Sequence, residues 1–175
     1  MLPLPKTFDV NEWIIVATCL LGWGVALLLP RRFPFVLTVL IFMFTLTIAN
    51  ELDHVLAAPP FDYFNLNDHD KYELFDAIFY FVLYPPIGYI FVYLYDKWNL
   101  KGIYILLYML LWSLAGIGIE WAGMHLQIFH YTKWKITSSF SVYLVIQCLT
   151  LAFFHFLCLY GRKTGLWRDC RTGVS

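Results

Sequence analysis

The chain has 175 residues, 61% of them hydrophobic and only 14% charged, with twelve basic side chains matched by twelve acidic ones. An average soluble domain is about 45–50% apolar and about 25% charged, and the excess here falls in blocks near the ~20 residues a helix needs to cross a bilayer. Zero net charge without a long basic tract gives no sign of a nucleic-acid partner, so the expected partner is the lipid bilayer and the expected unit one membrane domain, 1–175.

In chain order, the N-terminus "MLPLPKTFDVNEW" lacks the basic start of a signal peptide, and its apolar run ends in "PRR" rather than at a small-residue cleavage site. The first helix, about 13–30, is therefore expected to stay. The further spans are read at about 33–50, 73–95, 102–126 and 139–160, with one longer outer loop at 51–72. Strands of a membrane barrel would run about ten residues with alternating polarity, so the expected fold is an all-α integral membrane bundle of five transmembrane helices. The four cysteines include no CxxC pair and are read as small apolar fillers.

Basic residues set orientation. Arg31, Arg32, Lys97, Lys101, Arg162, Lys163, Arg168 and Arg171 lie on one side of the spans, and only Lys6, Lys71, Lys133 and Lys135 on the other. This places the N-terminus outside and the C-terminus in the cytoplasm.

Charged side chains within a span cost at least about 2.5–3.5 kcal/mol at mid-helix, so they are functional candidates. Asp76 stands one turn into the third span and Glu120 near the outer end of the fourth. Glu51, Asp53 and His54 follow the second span on the same side, which makes an outer polar pocket the expected site. Tyr80 and Tyr84 follow Asp76 on its helix face and can donate to it. Glu120 follows "SLAGIG", small residues that admit a neighbouring helix, and is expected to face protein. Trp121, His125, Tyr131 and Trp134 complete the candidate binding set. Trp134 and Tyr131, beside Lys133 and Lys135, also read as an interfacial aromatic belt.

Glu51, His54, Glu120 and His125 are the candidate metal ligands. Glu51 and His54 are three apart and share a face if the second helix continues that far. The same spacing supplies ligands in di-iron bundles, which use two copies where this chain has one. "YPPIG", residues 84–88, is expected to kink the third helix near its middle. The acidic loop lacks the glycine and terminal Glu of a calcium loop, and no hydrolase, metalloprotease or phosphate-loop signature is present.

"DKYELFDAIFYFVLYPPIGYIFVYLYDK" and "IEWAGMHLQIFHYTKWKITSSFSVYL" resemble small multi-helix membrane proteins of Bacillus and related spore-forming bacteria, known by locus-tag names only. The resemblance covers roughly residues 33–160. It rests on Asp62–Tyr63, Asp76, Tyr84–Pro86, Glu120–Trp121, Tyr131–Trp134 and Ser139–Phe140. It implies a multi-pass protein of a bacterial plasma membrane and brings no reaction, cofactor or catalytic residue. Three functions fit the residues. First is a non-enzymatic binding or scaffold protein taking a small polar ligand, a lipid headgroup or a partner helix at the outer pocket. Second is an integral-membrane enzyme, metal-assisted, acting on a lipid or prenyl substrate. Third is a proton-coupled carrier.

Overall fold

A computed structural model describes residues 10–57, 64–66, 78–125, 129–131 and 134–166. The fold is an all-helical bundle. Helix α1 covers Val10–Leu28 and α2 Phe35–Ala57. A π-helical turn, Phe79–Leu83, runs directly into α3, Tyr84–Lys97. Helix α4 covers Ile103–His125 and α5 Ile136–Thr164. Among the described residues, three stretches are long and apolar enough to cross a membrane: Phe35–Leu52 of α2, and the whole of α4 and α5. Their outer faces carry exposed Leu, Ile, Phe and Trp, the side chains suited to lipid.

Helix α3 is the inner element, packed on α1, α2 and α5, while α4 leans on α5. Tyr89, Phe91, Val92, Tyr93 and Tyr95 of α3 pack with Leu37 and Ile41 of α2, Phe154 and Leu157 of α5 and Tyr108 of α4. Aromatic edges fill this core. Phe33 meets Phe154 at 5.4 Å between ring centroids and Tyr89 at 6.0 Å. Phe91 stacks on Tyr108, whose hydroxyl donates to the Phe91 carbonyl at 2.7 Å. Helix α5 ends at Gly165, whose φ of 71° is the left-handed conformation glycine adopts without strain.

The structure corrects two expectations. The second helix does not end at Asn50. It runs on to Ala57, so the drop in hydropathy after Asn50 does not mark a helix end. The loop expected over 51–72 therefore begins as helix and contains a short strand, β1, Phe64–Leu66. That strand pairs antiparallel with β2, Phe129–Tyr131, with Asn65 opposite His130. The prolines of "YPPIG" stand near the middle of the continuous helical stretch from 78 to 97, and the π-turn directly before them, Phe79–Leu83, is the interruption expected there.

Candidate functional site

The β1–β2 pairing joins the chain after α2 to the chain after α4, so the ends of both helices share one end of the bundle. Glu120 lies near that end on α4, with 7% of its surface exposed. Both carboxyl oxygens face α5. Ser139 Oγ–H donates to Oε1 at 2.6 Å and Tyr143 O–H donates to Oε2 at 2.7 Å. Trp134 Nε1–H donates to Ser139 Oγ at 2.8 Å, which fixes that hydroxyl as an acceptor from the indole and a donor to the carboxyl. A buried carboxyl group is tolerable only with such partners.

The local sequence explains the geometry. Ser113, Gly116 and Glu120 fall three and four apart on α4, and Ser139, Tyr143 and Gln147 fall four apart on α5, so each set lines one face. The antiparallel pairing of α4 and α5 brings the faces together. Gly116 makes room for the Tyr143 ring, since a Cβ there would stand 3.1 Å from Tyr143 Cε2. Deeper in the same seam, Gln147 Nε2 donates to Ser113 Oγ at 2.9 Å. Gln147 Oε1 is buried with no hydrogen-bond partner among the described residues.

Of the other predicted residues, Trp134 joins Glu120 through Ser139, while Glu51, Trp121 and His125 are exposed. Trp121 is 57% exposed and packs against exposed His125, with ring centroids 4.3 Å apart and the planes tilted by 50°. His125 Nδ1 lies 3.0 Å from the Trp121 carbonyl, so this pair decorates the outward face of α4. Glu51 is exposed on α2. Asp53 and His54 are helical residues whose side chains lie outside the described set, as do those of Tyr80 and Tyr131, and Asp76 lies outside the described residues altogether. Tyr84 is half-buried at the start of α3. Among the described residues no three His, Cys, Asp or Glu side chains gather as a metal-binding group.

A second polar cluster, not foreseen from the sequence, sits at the opposite end. Asp96, 3% exposed at the end of α3, pairs through Oδ2 with Arg32 Nε, and Arg32 Nη2–H donates to the Asp96 carbonyl at 3.2 Å. Asp96 Oδ1 is buried with no hydrogen-bond partner among the described residues. Beside the pair, the Tyr95 hydroxyl and His155 Nε2 lie 2.9 Å apart, tying α3 to α5. Arg32 and Asp96 are separated by 64 positions and each reads as a loop residue. The only sequence signal was an acid at the foot of an aromatic helix with an arginine pair elsewhere on the same side.

The cysteines divide as well. Cys19 is free and buried, as a small filler would be, and Cys148 is free but exposed; Cys158, fully buried in α5, is disulfide-bonded, which corrects the expectation for that residue.

No protein-family model matches the chain, nor does any curated protein or solved structure.

Proposed function

We propose that the chain is a five-span bacterial plasma-membrane protein, N-terminus outside and C-terminus cytoplasmic, with a non-enzymatic binding or scaffold role centred on its outer end. Support for five spans comes from packing. Helix α3 is buried among elements apolar enough to cross, and α1 lies along α3 and the π-turn. The orientation follows the basic residues, and the bacterial membrane follows the resemblance.

One observation carries the choice of role: both Glu120 oxygens are engaged by Ser139 and Tyr143 across the α4–α5 seam. A metal-assisted enzyme would gather carboxylates and imidazoles around a reacting atom within a few ångströms. Here Glu51 is exposed, His125 packs tilted against Trp121, and Glu120 accepts from two hydroxyls. A carboxyl group held in this way specifies how two helices pair. It also leaves the outward Trp121–His125 pair as the surface offered to a headgroup or small polar ligand.

The test is metal content by mass spectrometry together with the unfolding temperature of detergent-purified protein, wild type beside Glu120→Gln. The expected result is no stoichiometric metal in either and a lower unfolding temperature in the variant. Stoichiometric zinc, iron or manganese in the wild type, lost in Glu120→Gln, replaces this reading with the metal-assisted enzyme.

A further inference from the structure

The third membrane segment breaks its own hydrogen-bond ladder. In α-geometry residues 85 and 86 donate to the carbonyls of Phe81 and Val82, and both donors are proline, so neither bond can form. π-geometry moves the donor one residue on, which for Phe81 is again a proline, Pro86. The chain stays helical by widening into the Phe79–Leu83 turn. Bonds that stiffen a helix against bending are therefore missing here. A replacement comes from another helix: Trp23 Nε1–H of α1 donates to the Val82 carbonyl at 2.8 Å.

The packing divides just past the prolines. Leu83 forms an apolar cluster with Ile15 and Cys19 that takes in Ile87 and lies apart from the main core. On the other side, Tyr89 to Tyr95 belong to the main core with α2, α4 and α5. Gly88 marks the boundary. A Cβ there would lie 2.1 Å from Thr45 Cγ2 and 2.7 Å from Thr45 Cβ, so α3 is seated backbone-to-side-chain on α2. At its far end α1 joins the main core through Ala26.

We propose that residues 82–88 are a hinge. The first half of α1 and the π-turn move as one unit against the rest of the bundle, pivoting near Trp23, whose ring stays edge-to-face on Phe42 of α2. The Trp23–Val82 hydrogen bond is the latch and the Gly88–Thr45 contact the fixed jaw. Motion of this unit opens the bundle at the end where Glu120 lies, because α1 begins there and ends beside Arg32. Hinges of this kind are a few positions that absorb backbone change between packed bodies.

Trp23→Phe tests the latch, because it keeps a ring against Phe42, now at 5.4 Å edge-to-face, and removes only the donor. Hydrogen exchange of the full chain in detergent is expected to quicken about tenfold in peptides covering 78–84, the size of one lost hydrogen bond, with the α4–α5 seam unchanged. Unchanged exchange at 78–84, or equal quickening everywhere, overturns the proposal. A measurement that keeps the latch guards against a variant that fails to fold. Spin labels at Ala17→Cys and Leu149→Cys, both exposed positions, with Cys19→Ala and Cys148→Ser, are expected to report two distances by pulsed dipolar spectroscopy. One narrow distance overturns the hinge.

Discussion

Tyr143 donates its hydroxyl to Glu120 Oε2 at 2.7 Å across the α4–α5 seam, and it reaches that oxygen by lying over Gly116, one turn before Glu120 on α4. Removing the hydroxyl leaves the ring in place and takes away one of the carboxyl group's donors. Loss of a hydrogen bond to a buried polar group costs about 1–3 kcal/mol. Tyr143→Phe and Ser139→Ala are each expected to lower stability by about that much. Glu51→Gln, at an exposed position, is expected to change it by less than about 0.5 kcal/mol. Thermal unfolding of the purified variants in one detergent decides. A Tyr143→Phe variant as stable as wild type would remove the seam from the account of Glu120.

The two glycines of "AGIG" should respond oppositely to the same substitution. A Cβ at 116 meets the Tyr143 ring at 3.1 Å, while one at 118 meets nothing within 4 Å. Overpacking costs about 1–3 kcal/mol, so Gly116→Ala is expected to destabilise despite alanine's better helix propensity. Gly118→Ala is expected to stabilise by up to about 1 kcal/mol through that propensity alone. The same unfolding assay reads both, and equal effects at the two positions would contradict the seam geometry.

These cases show what could be read without coordinates. Small residues before Glu120 announced a close helix, and the carboxyl group is indeed buried against α5. Its partners stayed hidden because the pairing of Ser139 and Tyr143 with Glu120 depends on the register of two antiparallel helices, which hydropathy does not encode. Helix ends were misread for a related reason. Apolar content reports the solvent around a helix, so the charged last turns of α2 looked like loop. Trp23 as a donor to the Val82 carbonyl was beyond reach, since prolines show which carbonyls lose their donor but not what replaces it.

At the opposite end, Arg32 ties the chain between α1 and α2 to the foot of α3 through Asp96. Removing one partner of a buried pair costs about 3–5 kcal/mol, because the other charge is left behind. Arg32 has a third of its side chain in contact with solvent, 33%, against 2% for Asp96. The asymmetry puts Arg32→Met at the lower end, about 3 kcal/mol. Adding Asp96→Leu should recover most of the loss, since no uncompensated buried charge then remains. A double variant no more stable than Arg32→Met would mean that Arg32 acts through packing of its stem rather than through charge.

Cys158 sets the disulfide against the proposed orientation. It is disulfide-bonded and fully buried in α5, toward the end that the basic residues place in the cytoplasm. Disulfides seldom persist in that compartment. With the C-terminus cytoplasmic, Cys158 is expected to be a thiol in growing cells and a disulfide after purification in air. Quenching cells in acid, denaturing with an alkylating reagent and reading Cys158 by mass spectrometry separates the cases, with free Cys148, exposed on the same helix, as the internal control. Alkylation of Cys158 before any reductant is added upholds the orientation. Protection until reductant is added, with Cys148 already alkylated, would place this end of α5 on the oxidising side and reverse the topology of all five helices.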